Sequence, residues 1–238
     1  MGNPAQKRII RKLDLELFLS KIKPHAEPKA NLEQYTITES TAATMLYLAA
    51  YTYDDIIGKR VLDLGCGTGR LALGAAFLGA ESVIGVDIDE SAIRAAYTNS
   101  EQARLKGKIQ WVTGDINAIA GTFDTVLQNP PFGVQKRHAD RRFLEKAIEL
   151  GSAVYSLHNH PVFDKKLMSK LKANNGQPLQ VEPSAFIQRF VEERGGHVKA
   201  VYALPLTISR MFDFHTKAKQ EIVTDLYVIV KKPKTKWK

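Results

Sequence analysis

The residues with the clearest chemical potential are Asn129, Pro130, Pro131 and Phe132, which follow an apolar run typical of a buried strand. The Asn129 amide oxygen and the Pro130 carbonyl can both accept hydrogen bonds from one NH2 group, and proline fixes the direction of that carbonyl. Phe132 offers a face on which a base can stack, worth roughly 1–3 kcal/mol. Two acceptors favour a more tetrahedral, more nucleophilic nitrogen as the transition state forms. The tetrapeptide therefore predicts a site for a planar amine.

An Asn-Pro step also marks ordinary turns, so the tetrapeptide alone leaves both interpretations open. A second motif changes the balance, because residues 61–64 read as a strand that enters a glycine-rich turn. Gly65, Gly67 and Gly69 allow the backbone to turn tightly and to approach a ligand closely. Their GxGxG spacing differs from the GxGxxG spacing of the dinucleotide fingerprint.

Acidic residues accompany these motifs at predicted strand ends. Asp63 precedes the glycine turn, and Asp87 ends the next apolar run, where it suits ribose hydroxyls. Asp115 can accept a hydrogen bond from an adenine amino group while Ile116 packs on the ring. The order of these acids, the glycines and Asn129 is that of S-adenosylmethionine-dependent amino-methyltransferases.

The motifs DLGCGTG at 63–69 and NPPFG at 129–133 closely resemble those of the methyltransferase-like-five family. Members of that family make N6-methyladenosine in small-subunit ribosomal RNA. The likeness runs from about Leu32 to Val230, and we expect an archaeal member. Further shared motifs are LEQY at 32–35, MLY at 45–47, YDDI at 53–56, GVDID at 85–89 and VYSLH at 154–158.

The resemblance implies a class I S-adenosylmethionine-dependent methyltransferase, with an α/β, doubly wound, mostly parallel seven-stranded sheet. It implies that Asp63 binds the methionine amino group, that Asp87 binds the ribose, and that Asn129 to Phe132 are catalytic. The residues expected to bind the cofactor are Gln34, Ile37, Asp63, Gly65, Gly67, Thr68, Gly69, Arg70, Asp87, Asp115 and Ile116. The family continues its EQY motif with Pro-Thr, whereas this chain has 36–38 as Thr-Ile-Thr, whose threonines also suit helix capping.

The elements that must position these residues alternate along the chain. Strands are predicted at 60–64, 82–87, 108–112, 123–128 and 152–157, and helices at 41–53, 70–79, 90–105, 139–150 and 184–194. Strands separated by helices imply a parallel sheet with right-handed crossovers, and its ligands sit at the carboxyl ends of the strands. Asp63, Asp87, Asp115 and Asn129 should therefore share one rim. Strands at 197–204 and 222–230 would close the sheet as a hairpin.

Three regions are expected along the chain. A helical extension at 1–30 contains an amphipathic helix at 7–23, because its apolar residues recur at helical spacing. The methyltransferase domain spans 31–230, and a basic tail occupies 231–238.

Composition limits the partners and the location. The chain has 238 residues and a formal charge of +9, which points toward an anionic partner such as nucleic acid, although a merely lysine-rich surface is equally open from charge alone. There is no apolar run long enough for a membrane span and no signal peptide, so we expect a cytoplasmic protein without membrane contact. Cys66 is the single cysteine, which excludes an internal disulfide and a cysteine metal cluster. His158 and His160 lack a third ligand, so no metal is expected. Loop positions are predicted for both, and the resemblance implies substrate contact as the alternative for His158.

Two groups of residues are candidates for contact with RNA. Basic residues follow the catalytic tetrapeptide, where RNA phosphates would pass, although a solvated loop is the alternative. An aromatic-histidine loop resembles one that lies near the acceptor base in the family, although a core role is equally open. The candidates are Lys136, Arg137, Arg141, Arg142, Phe214 and His215. In the family a small zinc-containing activator protein pairs with the enzyme, and an edge strand at 108–112 would be the place for it.

Other functions remain open from the residues alone. A protein glutamine N5-methyltransferase uses the same planar-amide chemistry, although its motif more often has Tyr at the position of Phe132. A DNA N6-adenine methyltransferase would share the tetrapeptide, but no separate target-recognition domain is evident. A non-catalytic RNA-binding module is disfavoured because the cofactor loop and the tetrapeptide are both intact.

Overall fold

The computed structural model describes residues 9–34, 36–131, 139–161, 164–209 and 219–232. Outside these ranges lie five of the candidate site residues, namely Phe132, Lys136, Arg137, Phe214 and His215. Most of the basic tail also lies outside them, as do the first eight residues. The roles of these residues and the division into three regions stay predictions.

One mixed sheet of eight strands forms the centre of the chain. The strands are β1 (Arg60–Leu64), β2 (Ser82–Asp87), β3 (Ile109–Thr113), β4 (Phe123–Gln128), β5 (Gly151–Asn159), β6 (Leu179–Gln180), β7 (Gly196–Ser209) and β8 (Lys219–Lys231). Their order is β3-β2-β1-β4-β5-β8-β7-β6. The first five strands run parallel to one another, and β8, β7 and β6 pair antiparallel. The order reverses between β1 and β4, which is where ligands bind in such sheets.

Seven α-helices surround this sheet in the described part of the chain. They are α1 (Lys12–Leu19), α2 (Glu39–Tyr47), α3 (Arg70–Leu78), α4 (Glu90–Gln102), α5 (Ala139–Leu150), α6 (Lys165–Ala173) and α7 (Ala185–Glu193). Side chains cap several helix starts, and Thr38 Oγ1 accepts a hydrogen bond from the Thr41 N–H at 3.2 Å, as its type predicted. Gly79 ends α3 with φ 97°, a left-handed conformation that favours glycine. None of the helices in the described ranges is long and apolar enough to cross a membrane.

The core lies on both faces of the sheet because alternate strand residues point in opposite directions. In β1, Val61 packs with the cluster that includes residues of α1, α2 and α3. Its neighbour Leu62 packs on the opposite face with residues of α5 and α7. In β4, Leu127 packs with the same cluster as Val61, and Val126 packs with the same cluster as Leu62. Burial on two faces explains why these strands read as continuous apolar runs.

The predicted sheet had seven strands, and the structure has an eighth. Leu179 and Gln180 pair with Ala203 and Tyr202 and extend the sheet at its β7 edge. A strand of two residues is too short to produce an alternating pattern, so the sequence did not indicate it. The helix α6 was not predicted either, although Met168 contributes to a small core cluster there.

Two predicted helices have different bounds. The N-terminal helix was expected at 7–23, but in the described residues it spans only Lys12–Leu19. The helix expected at 41–53 begins earlier and is α-helical only to Tyr47. It continues as a π-helical turn, Leu48–Thr52, which hydrophobic spacing does not distinguish from an α-helix.

Candidate active site

A cavity of about 250 Å³ opens at the carboxyl ends of β1, β2 and β4. Asp63, Asp87, Asp115 and Asn129 all line it, so the structure brings these four polar side chains to one rim as expected. Pro130 is buried and is not among the lining residues. The other candidate site residues that line the cavity are Gln34, Ile37, Gly65, Gly67, Thr68, Arg70, Ile116, Pro131 and Arg142.

The glycine-rich turn forms one wall of this cavity and is fastened to the end of β2. Gly65 and Gly67 have φ values of 69° and 52°, a region that side chains other than glycine rarely adopt. The N–H groups of Gly65 and Cys66 donate to the Val86 carbonyl at 2.8 and 2.9 Å. The Gly67 N–H donates to Asp87 Oδ2 at 2.8 Å. The turn and the acidic residue predicted for ribose are therefore held in fixed relation.

The third glycine of the turn has a packing role that the motif alone does not reveal. Gly69 does not line the cavity, and a Cβ there would lie 2.5 Å from Cη2 of Trp111. A Cβ at Gly85, inside β2, would lie 2.4 Å from Cζ3 of the same ring. Trp111 on β3 thus fills a space that only these glycines leave open, and it supports the turn from below the cavity.

Asp63 is the side chain best suited to bind a cation. It is only 1% exposed, and its Oδ2 accepts a hydrogen bond from the Ala72 N–H at 2.9 Å. Its Oδ1 is buried and has no hydrogen-bond partner among the described residues. Burial raises the pKa of Asp63 to about 7, and the nearby charge of Asp87 adds to this effect. A buried carboxylate oxygen without a donor is costly, so the ammonium group of a bound methionine moiety fits this position.

Asp87 anchors the entrance to the cavity. Its Oδ1 accepts from the Asp89 N–H at 2.9 Å, and both of its oxygens keep a lone pair for a hydroxyl group. Burial raises the pKa of Asp87, and the backbone hydrogen bonds that it accepts oppose this shift. Gln34 Nε2 donates to Asp89 Oδ2 at 2.8 Å, and Lys29 Nζ lies 2.8 Å from Asp89 Oδ1. Gln34 therefore fastens the entrance segment, and its contact with the methionine end stays a prediction.

Two buried side chains join the glycine turn to the N-terminal part of the chain. The Arg70 guanidinium donates to the carbonyls of Ile37 and Ile22, and burial lowers its pKa. The Asn99 amide donates to the Thr68 carbonyl at 3.0 Å and makes two further hydrogen bonds with the backbone of the N-terminal segment. Arg70 thus lines the cavity while holding its entrance, and the N-terminal segment is part of the site.

Asp115 and Ile116, which the sequence predicts to contact the adenine, both line the cavity. Asp115 Oδ2 lies 3.5 Å from Arg142 Nη2, and Arg142 also lines the cavity. Arg142 was expected to contact RNA, whereas the structure places it at the cofactor cavity. Arg141, the next candidate, lies elsewhere, with its guanidinium 4.5 Å from the centre of the Phe186 ring.

Asn129 directly follows β4, and a row of buried hydrogen bonds holds the end of that strand in place. Gln128 Nε2 donates to Ser156 Oγ at 2.8 Å, and Ser156 Oγ lies 2.8 Å from His158 Nε2. The expected loop position of His158 is wrong, because β5 extends through it and buries the ring. Burial lowers the pKa of His158 to about 4, so the imidazole is neutral at pH 7.

Several lining residues were not singled out from the sequence. Phe143 comes from α5, and its ring lies 2.8 Å from the position of a Cβ on Gly65. Ala139 lies one helical turn before it and also lines the cavity, so helical spacing from the start of α5 was the available signal. Ile88 could have been identified from its position directly after Asp87. The position of His25 at the cavity could not, because it depends on contacts between distant parts of the chain.

Comparison with known proteins identifies the family. Residues 36–153 match the family described as Methyltransferase small domain. The chain is 37% identical over 235 residues to an uncharacterised protein of Methanocaldococcus jannaschii, covering 94% of this chain and 95% of that one. It is 44% identical over 151 residues to rRNA N(6)-adenosine-methyltransferase METTL5 of Danio rerio, covering 61% of this chain and 72% of the relative. A proposed RNA methyltransferase of Pyrococcus horikoshii, solved by crystallography, is 36% identical with a TM-score of 0.78, covering 95% of this chain and 100% of that chain.

These matches confirm the resemblance that the motifs indicated, and with it the class I methyltransferase fold. The Methanocaldococcus jannaschii and Pyrococcus horikoshii matches extend over almost the whole chain, so the similarity includes the entrance segment and the hairpin as well as the cofactor turn. The chain therefore belongs to the METTL5 family of S-adenosylmethionine-dependent methyltransferases.

Proposed function

We propose that this chain transfers the methyl group of S-adenosylmethionine to N6 of an adenosine in RNA, and that small-subunit ribosomal RNA is the substrate. The observation that carries the proposal is the position of Asn129, which lines the same cavity as Asp63, Asp87 and Asp115. A cofactor held by the three carboxylates and an amine held by Asn129 would meet in one space.

Residues of the chain position the reactants in this reaction. The bound sulfonium supplies an electrophilic methyl group, so alignment of the two reacting atoms accounts for much of the acceleration. The Asn129 amide oxygen accepts a hydrogen bond from an N–H group of the target amine and favours its nucleophilic form. The Pro130 carbonyl, the second acceptor expected from the sequence, belongs to a buried residue outside the cavity lining. Burial lowers the pKa of His158 to about 4, so its imidazole is too weak a base to take a proton from the amine near pH 7, and its hydrogen bond to Ser156 supports the strand end. No general base with a shifted pKa is required.

RNA is the acceptor that the comparisons and the charge support best. The Danio rerio relative is named an rRNA N(6)-adenosine-methyltransferase. The net charge of +9 favours a polyanion, and its binding should weaken as salt rises. N6 takes part in base pairing, so the target adenosine must lie in a loop or be extruded from a helix.

We propose further that the protein acts in the cytoplasm with a small zinc-containing activator protein. The support for a protein partner is the edge position of β3, whose neighbour among the described strands is β2 alone. An edge strand presents unpaired backbone groups that another chain can use. Co-expression with candidate zinc proteins, followed by co-purification, tests this part of the proposal independently of activity.

The test measures transfer from labelled S-adenosylmethionine to unmodified small-subunit RNA, to DNA and to ribosomal protein in separate reactions. Asn129→Ala should lower transfer to RNA by about 10²–10³-fold while cofactor binding is retained. Asn174→Ala is the matched control, because Asn174 is exposed beyond α6 and far along the chain from the cavity lining. N6-methyladenosine in the RNA, lost only with Asn129→Ala, is the expected result. Label in protein glutamine or in DNA instead would reject the proposed acceptor.

A further inference from the structure

A second cavity, of about 150 Å³, lies beyond the carboxyl end of β5. Its lining includes Asp140, His158, Asn159, Phe186 and Ile187, and none of these residues lines the cofactor cavity. The start of α5 lies between the two spaces. Ala139 lines the first cavity and the next residue, Asp140, lines the second, so the two spaces lie on different sides of the first turn of α5.

Hydrogen bonds and strand pairing connect the second cavity to the segment that carries Asn129. Ser156 of β5 pairs with Gln128 of β4, and Asn129 is the next residue after Gln128. His158, which lines the cavity, is joined to Gln128 through the hydroxyl group of Ser156. Neighbouring strands lie about 4.8 Å apart, so Asn129 and the cavity lie at the carboxyl ends of adjacent strands.

The groups around the cavity suit a nucleobase. Phe186 is 50% exposed, and the Arg141 guanidinium lies 4.5 Å from the centre of its ring. Exposed aromatic rings that carry an arginine are surfaces on which single-stranded bases stack. The Asn159 side chain is exposed and can form hydrogen bonds with the edge of a base, as can the carboxylate of Asp140.

The charges in the cavity argue against a phosphate inside it. The Asp140 carboxylate would repel a phosphate, and His158 contributes no positive charge because burial lowers its pKa to about 4. A neutral planar group is therefore the better occupant. The positive charge lies outside the lining, on Arg141 against the Phe186 ring, where a backbone phosphate would follow the base.

We propose that this cavity binds the base of a nucleotide adjacent to the methylated adenosine, with Phe186 as the stacking surface and Arg141 as the phosphate contact. The inference rests on the proposed methyl transfer to RNA. A base held there places the neighbouring adenosine in register with Asn129. The cavity therefore determines RNA affinity and the preferred neighbouring base, and it leaves the chemical step unchanged.

The test compares Phe186→Ala with Tyr97→Ala. Tyr97 is a matched control, since it is 43% exposed and carries Lys106 Nζ at 5.5 Å from its ring centre, on the helix α4. Kinetics with unmodified small-subunit RNA should show KM for RNA raised about 5- to 150-fold by Phe186→Ala, with kcat unchanged at saturating RNA. Tyr97→Ala should leave both parameters unchanged. Neither variant should alter the Kd for S-adenosylmethionine.

A second measurement observes the base directly. Short single-stranded oligoribonucleotides carry one adenosine in a pyrimidine run, with 2-aminopurine placed on its 5′ or its 3′ side. The wild-type protein should quench the fluorescence of one of these probes by stacking, and Phe186→Ala should abolish that quenching.

The outcomes separate this inference from the function on which it rests. Transfer to RNA by the wild type, with an unchanged KM in Phe186→Ala, would overturn the cavity assignment and leave the proposed function standing. A loss of kcat without a change in KM would also overturn it, since the ring would then contact the reacting base. Absence of RNA methylation by the wild type, even with the activator protein bound, would reject the proposed function. The fluorescence difference alone would then decide whether a nucleobase binds in this cavity.

Discussion

The affinity for S-adenosylmethionine should fall as the pH is lowered below 7, because of Asp63. Burial raises the pKa of this carboxyl to about 7 in the free protein, so about half of the molecules carry a proton there at pH 7. The ammonium group of the bound cofactor, placed at the unpartnered Oδ1, favours the ionised carboxylate. Binding must therefore release a proton, and a higher proton concentration opposes binding.

The size of the effect follows from that pKa. If Asp63 is fully ionised in the complex, affinity should fall about fivefold from pH 7 to pH 6 and about tenfold from pH 6 to pH 5. Titration calorimetry at pH 7 in two buffers of different ionisation enthalpy should detect release of about half a proton for each cofactor bound.

Two variants distinguish the effect of Asp63 on cofactor binding from the effect of another buried carboxyl group. Asp63→Asn should bind the cofactor weakly at every pH and should lose the pH dependence. Asp225→Asn is the matched control, because Asp225 is also buried but lies on β8 with His160 at 2.9 Å, away from the cofactor cavity. It should retain the wild-type pH dependence. A wild-type affinity that stays constant from pH 5 to pH 8, or calorimetry without proton release, would refute the assignment of Asp63.

Three further variants test the packing around the cavity. Gly85→Ala places a methyl group 2.4 Å from the Trp111 ring and should lower the free energy of unfolding by about 1–3 kcal/mol in urea titrations, whereas Gly114→Ala, with no atom within 4 Å, should not. Asn99→Ala leaves buried backbone groups without partners, so it should cost about 1–3 kcal/mol and raise the Kd for the cofactor measured by calorimetry. Arg142→Ala removes a half-exposed ion pair at the cofactor cavity and should raise the same Kd by no more than about fivefold, with KM for RNA unchanged.

The sequence predicted the rim of the cofactor site well because local patterns and one rule of topology suffice for it. Each of Asp63, Asp87 and Asn129 lies at the end of an apolar run, and a run of that kind marks a strand. In a parallel sheet with right-handed crossovers those ends must lie at one edge. No knowledge of side-chain contacts was needed to bring them together.

Contacts between distant parts of the chain could not be predicted in this way. Nothing local to Gly85 indicates that the Trp111 ring will need its empty space. Arg70 has the type and position of a cofactor ligand, yet its guanidinium is engaged with the carbonyls of Ile22 and Ile37. These contacts depend on where the N-terminal segment packs, which hydrophobic periodicity leaves open.

The adjacent arginines at 141 and 142 contact different parts of the structure, so a single RNA-binding role for this basic stretch does not describe both. Consecutive helical residues point about 100° apart, so neighbours in the sequence can serve different spaces. Arg142 lies 3.5 Å from Asp115 at the cofactor cavity, while Arg141 packs against the Phe186 ring beside the second cavity. The first turn of α5 is thus a wall with the methyl donor expected on one side and a neighbouring base on the other. Substitutions at these adjacent positions should therefore separate into effects on cofactor affinity and effects on RNA affinity, as a single RNA-binding patch would not allow.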